Sequence, residues 1–234
     1  MNFKGLEQLF SEKSNFFPLE TLNNLDFLKI LYIFAKNRNY MKTIKREYKI
    51  ENSIYFNSKF GERVLSNMYP CRLEYNGEVF RSVEEMFHVL LYRFLIDKTK
   101  TCSNAFECKE VYKTYVLDKK ETRRMNENDE EFERRKMQRL MEEYRIIHLC
   151  HQVKFQQYKP FRDIIINSGN KDIVEWCYWI FDKRIDTFGT YKDVEKGLFV
   201  GGNICGRSMM KVRKEYQEGK LEVKEAECAT VNRS

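Results

Sequence analysis

Apolar residues return at helical spacing in several stretches of this chain, most regularly after Ser82. Val83, Met86, Phe87, Leu90, Leu91, Phe94 and Leu95 share one face, and Ser82 with Glu85 three residues on has the form of a capping box. The pattern predicts a helix from Val83 to about Leu95. Just upstream, Leu73-Glu74-Tyr75 and Glu78-Val79-Phe80 flank Asn76-Gly77, a pair that tolerates the positive φ of a two-residue hairpin turn. Ser53-Ile54-Tyr55-Phe56 has the composition of another short strand, so a small antiparallel sheet is expected. Nearer the N-terminus, Leu22 to Asn37 reads as a largely buried helix with Asn23 or Asn24 as its cap, the centre of a helical extension over residues 1–52.

Downstream the pattern changes. From Asp118 to about Lys136 acidic and basic residues alternate, a charged insertion expected to be a solvated loop. It leads into a long amphipathic helix, with Met137, Leu140, Tyr144, Ile147 and His151 on one face, ending near Gln157. Pro160 opens a further helix, Phe161 to Asn167, that Ser168-Gly169 ends, and another helix is expected from about Asp172. The last helix runs from about Asn203 to Tyr216, followed by a flexible tail over 217–234. These elements define a mainly α (α+β) domain over residues 53–216 with a small antiparallel β-sheet.

Composition excludes several classes. The chain has 234 residues with 42% apolar and 15% aromatic content, enough for one substantial core. The most apolar stretch, Leu25 to Ala35, is interrupted by Lys29 and is shorter than the roughly 20 residues of a membrane-spanning helix. Met1-Asn2-Phe3-Lys4-Gly5 has no apolar signal region, so a cytoplasmic location and no membrane partner are the expectations. Seven cysteines, an odd number without a CxxC pair, read as reduced thiols. The net charge of +7 permits a polyanionic partner, and Lys42, Lys45, Arg46 and Lys49 form a local basic cluster, but charge alone does not establish nucleic-acid binding.

The candidate chemistry lies in two distant segments. One is Leu65-Ser66-Asn67-Met68-Tyr69-Pro70-Cys71 with the later Ser82-Val83-Glu84-Glu85-Met86-Phe87. The other is Gly201-Gly202-Asn203-Ile204-Cys205-Gly206-Arg207 with Met210 and Arg213. Glu84 falls at the second position of its predicted helix, where the macrodipole favours an ionised carboxylate. His88 follows one turn later on a similar side. Glycines ahead of the last helix would let backbone N–H groups approach a phosphate. His148 and His151 are three apart without an HExxH pattern or clustered acid, so no metal is expected.

Together these segments resemble the NADAR family of YbiA-like N-glycosidases, whose members hydrolyse the C1′–N bond of ribosides related to NAD, ADP-ribose and riboflavin precursors. The resemblance covers roughly residues 54–215 and implies a YbiA/NADAR-like helical domain with no cofactor. It makes Glu84 the catalytic carboxylate. Asp186-Thr187-Phe188-Gly189 is similar to the family's D-x-W-G segment, which implies Asp186 as a second acid, with Asp182 as its competitor, and Phe188 as an aromatic wall beside Gly189. Gly202, Asn203, Gly206, Arg207 and Arg213 match the family's glycine-rich signature, and Asn67, His88 and Lys154 are further candidate ligand contacts. The chain departs from the family at Glu85, where His is usual, at His88 (Gln), at Phe188 (Trp) and at Leu91 (Lys). Three functions follow: a hydrolase removing ADP-ribose from modified nucleobases, particularly guanine in DNA; an N-glycosidase on ribosylaminopyrimidine phosphates of riboflavin biosynthesis; and a catalytically weakened module binding ADP-ribose-like ligands or partner proteins.

Overall fold

The computed structural model describes residues 46–117, 126–177 and 187–223. The predicted Leu22–Asn37 helix, most of the insertion's first half, Asp182, Asp186 and the tail beyond 223 lie outside the described residues. Within them the protein is α+β. Three small β-units border a helical core: an antiparallel sheet in the order β1 (Arg46–Lys49), β7 (Leu198–Gly201), β6 (Thr190–Asp193); a parallel pair of β2 (Ser53–Phe56) with β5 (Asp172–Glu175); and the hairpin β3 (Leu73–Tyr75)–β4 (Glu78–Phe80). The hairpin turn is the expected one, with Asn76 and Gly77 both at positive φ, where glycine carries no Cβ penalty.

The helices are α1 (Val83–Leu91), the single turn α2 (Ile96–Thr99), α3 (Ala105–Tyr112), α4 (Asp129–Gln157), α5 (Lys159–Asn167) and α6 (Ile204–Gln217). Ser82 caps α1 by accepting from the Glu85 backbone N–H. The helix stops at Leu91, four residues short of the predicted end, so Phe94 is 54% exposed rather than in the core. α4 begins inside the charged run, where Asn128 and Glu131 form a reciprocal capping box. Satisfying two otherwise orphaned backbone donors converts part of the expected loop into helix. α4 packs against both α1 and α6, and α6 lies on β5. Phe56, Leu73, Met86, Ile147, Phe155, Phe161, Ile173 and Met209 fill the space between them, all essentially inaccessible. Burying side chains of this size is worth about 1.5–3 kcal/mol each.

Three boundaries differ from the expectations. Asp172–Glu175 is a strand, not the start of a helix: it pairs in parallel with Ser53–Phe56, Ile54 opposite Ile173, and a segment this short, with only Ile173 and Val174 apolar, cannot by periodicity alone choose between the two. Arg46–Lys49, assigned to the extension, pairs with Leu198–Gly201 as a sheet edge. Beyond α6, Leu221 is buried in the main core cluster, so the first residues of the expected flexible tail are packed on the fold. No helix of the described residues is long and apolar enough to cross a membrane.

Candidate active site

Glu84 lies in the first turn of α1 with its backbone N–H donating to the Asn67 carbonyl at 2.9 Å. This bond ties the Leu65–Cys71 loop to the helix start, so the two motifs meet through local helix geometry. The Glu84 side chain is 13% exposed. His88 Nε2–H donates to Glu84 Oε1 at 3.3 Å, the i,i+4 neighbour that helical spacing supplies. From α3, Lys109 Nζ reaches the same oxygen at 3.3 Å. Burial alone would push the carboxyl up; the His88 hydrogen bond and the Lys109 ammonium outweigh it and hold Glu84 at about 2. Both donors engage Oε1. Among the described residues no hydrogen bond to Oε2 is formed.

His88 is itself held in place. Tyr112, one turn beyond Lys109, stacks on its imidazole with centroids 3.8 Å apart and planes 12° from parallel. The buried His88 Nδ1 has no hydrogen-bond partner, an unmet capacity of the kind a ligand or water meets. Phe188 sits against Phe87 edge to face at 6.1 Å, which brings the predicted aromatic wall to the helix that carries Glu84. Asp186 lies outside the described residues.

Asn67 is half-buried and stands at the end of a polar chain that runs into the core. Its Nδ2 donates to Cys205 Sγ at 3.4 Å, and its Oδ1 accepts from His151 Nε2–H at 2.8 Å. Burial holds the His151 imidazole neutral, well below its ordinary range. Its Nδ1 therefore accepts from the Ser208 hydroxyl at 2.8 Å. Ser208 Oγ in turn faces His148 Nδ1 at 3.3 Å, and His148 Nε2 meets the Glu215 carboxylate at 3.0 Å. The chain fixes which way the Asn67 amide points. Burial, the leading cause, pushes the Cys205 thiol well above its ordinary range, so it stays a thiol and a weak acceptor rather than a nucleophile.

The other predicted ligand contacts are occupied within the fold. Asn203 is fully buried at φ 52, its Oδ1 accepting from Glu175 N at 3.0 Å and its Nδ2 donating to Ile173 O at 2.9 Å. It pins β5 to the start of α6. The N–H groups of Asn203, Ile204 and Cys205 donate to the carbonyls of Gly189, Thr187 and Phe188, so these three donors of the glycine-rich segment are spent on the 187–189 strand of chain, not left for a phosphate. Gly206 is required by packing: a Cβ there would collide with the Ile173 carbonyl and the Asn203 amide. Gly189 likewise has no room for a Cβ beside Cys177 Sγ, and Gly202 is buried.

Lys154 is fully buried in α4, donating to the Val64 and Ser66 carbonyls at 2.7 and 3.0 Å; it holds the Asn67 loop from behind. Arg213 donates to Ser168 Oγ at 2.6 Å and Lys171 O at 2.8 Å, clasping the end of α5. Arg207 is half-buried near Tyr48 and Tyr144, whose hydroxyls burial pushes up, its charge offsetting only part of that rise. The structure thus gathers Glu84, His88, Asn67 and Phe188, and adds Lys109, Tyr112, Cys205, His151 and Ser208. Lys109 belongs to no motif and is joined to Glu84 only by packing of α3 on α1, so periodicity carries no sign of it. His148 and His151, singled out by spacing, serve the polar chain.

No protein-family model matches this chain, and no curated protein sequence does. Among solved structures, the chain is similar to the NMR structure of the E. coli protein YbiA, with a TM-score of 0.49 and 15% identity, over 74% of this chain and 90% of that one.

Proposed function

We propose that this protein is an N-glycoside hydrolase that cleaves the C1′–N bond of an ADP-ribose-related riboside, with ADP-ribose on guanine in DNA as the leading substrate. The observation that carries the reading is the division of labour on Glu84: Oε1 is anchored by His88 and Lys109, while Oε2 has no hydrogen bond among the described residues. A carboxylate held at about 2 stays ionised at neutral pH and suits stabilisation of positive charge at C1′ as the bond lengthens. Hydrolysis then adds water at C1′ and returns the bonding electron pair, with a proton, to the departing base. Lys109 supplies an ammonium to the site from a different helix than the family's lysine, whose position Leu91 occupies. Phe188 offers a face to the sugar or base, and Asp186 is the proposed second acid.

The same ion pair favours a second reading. A Glu84 that keeps Lys109 as partner in the ligand complex would bind an ADP-ribose-like group without turning it over. Incubating the protein and its Glu84→Gln variant with DNA ADP-ribosylated on guanine, and detecting free ADP-ribose by mass spectrometry, separates the two. Release by the parent protein alone is the expected result. No release, with ADP-ribose still bound, would replace the hydrolase by the binding module.

A further inference from the structure

A cleft of about 680 Å³ opens beside the loop that carries Asn67. Ser66 and the four residues from Met68 to Cys71 line it, whereas Asn67 between them turns its side chain to Cys205 and His151. Glu84, His88 and Lys109 are absent from its walls, which makes it separate from the Glu84 cluster although one short loop borders both. Three arginines, Arg63, Arg72 and Arg81, line the cleft and no carboxylate does.

The three cations differ. Arg81 is committed: it donates to Glu85 through Nε at 3.1 Å and Nη2 at 2.7 Å, and also to the Thr99 carbonyl, so it is a rigid, neutralised part of the wall. Arg63 is exposed and has no carboxylate partner among the described residues. Arg72 meets Glu74 at 3.5 Å, but both side chains are largely in water, and such a pair is worth about 1 kcal/mol or less. Two guanidinium groups are therefore available to an anion. Phe106, on the first turn of α3, is 58% exposed at the same rim. The amide donors of that turn are already taken by Asn104, so the helix end itself adds little.

Available arginines beside an exposed aromatic ring match a ligand with phosphate oxygens and a planar base: guanidinium groups grip phosphate bidentately, and bases stack on aromatic faces without regard to sequence. The cleft volume lies within the range of small-ligand sites. We propose that this cleft is a nucleotide site, in which Arg63 and Arg72 take the phosphate and Phe106 stacks on the base. Its occupant is a nucleoside phosphate, either free or as one unit of a single strand. The proposal does not depend on what Glu84 does.

The test titrates the full chain with ADP and, separately, with a short labelled single-stranded oligonucleotide, following fluorescence anisotropy and backbone amide NMR shifts. Binding of at least one probe is expected, with shifts at Tyr69, Asn104 and Phe106. The double variant Arg63→Glu/Arg72→Glu should weaken it by at least about tenfold and flatten its dependence on salt by roughly two phosphate contacts. Phe106→Ala should weaken it by a smaller factor. Oligonucleotide binding alone assigns the site to a strand, and ADP binding alone to a free nucleotide. The proposal is overturned if neither probe binds below about 1 mM, if the double variant binds undiminished, or if the shifts are confined to His88 and Lys109. Both arginines are at the surface, so circular dichroism should report an unchanged fold, and Arg63→Gln gives a milder second variant.

Discussion

Replacing Lys109 by Met removes the ammonium 3.3 Å from Glu84 Oε1 while keeping most of the side chain's apolar volume. Glu84 then faces its burial, which raises its proton affinity, with only His88 in opposition. In the parent protein the carboxyl falls from an ordinary 4.5 to about 2. A tenfold change in proton affinity is about 1.4 kcal/mol, so this depression represents roughly 3 kcal/mol of native stability at neutral pH. Because the folded value lies below the unfolded one, that contribution is complete above pH 4.5 and is lost as pH falls from there towards 2. Lys109 is itself 30% exposed, so its share is screened, and we expect Lys109→Met to cost about 1–2 kcal/mol at pH 7. The variant should also lose less stability than the parent on acidification. Denaturant unfolding at a series of pH values, with the Glu84 side-chain carboxyl followed by carbon-13 NMR, measures both. An unchanged Glu84 titration in the variant would refute the assignment of Lys109 as the charge that holds Glu84 ionised.

Three further outcomes follow from other contacts. Ser208→Ala leaves the buried His151 Nδ1 without its 2.8 Å donor, which should cost about 1–3 kcal/mol in chemical denaturation and change the nitrogen-15 shifts that report the His151 tautomer. Gly206→Ala drives a Cβ into the Ile173 carbonyl and Asn203; a loss above about 4 kcal/mol or failure to fold is expected, and near-parental thermal stability would contradict the packing of α6 on β5. Burial lowers Lys154 from 10.5 to about 8, so the unfolded chain binds more protons between those values and this group makes stability rise with pH above 8. Subtracting the stability curve of Lys154→Met from the parent's should expose that rise between about pH 8 and 10, because the cysteine thiols, which titrate in the same range, are common to both proteins and cancel; a flat difference would count against a charged, buried Lys154.

Much of the local structure was legible in the chain. Ser82 with Glu85 marked the start of α1, Asn76-Gly77 marked the hairpin, and Pro160 and Ser168-Gly169 bracketed α5, because caps, turns and helical period depend on residues within a few positions of each other. The same short range put Glu84 and His88 one turn apart on one helix. The strand at Asp172–Glu175 was not legible in this way: its partner, Ser53–Phe56, lies far away in the chain, and the Asn203 amide that pins it lies beyond it. The glycine-rich segment suggested free backbone donors, but the 187–189 carbonyls consume three of them. Lys109 carried no sign of its role, since an ammonium gains meaning only from the carboxylate that packing brings beside it. The sequence by itself determined the start of α1, the body of α4, α5, α6, the hairpin and the carboxylate–imidazole pair on α1, because those rest on local backbone preference. Only the tertiary structure decided which polar groups are spent on the fold and which stay open, because hydrogen-bond capacity is finite and long-range packing allocates it.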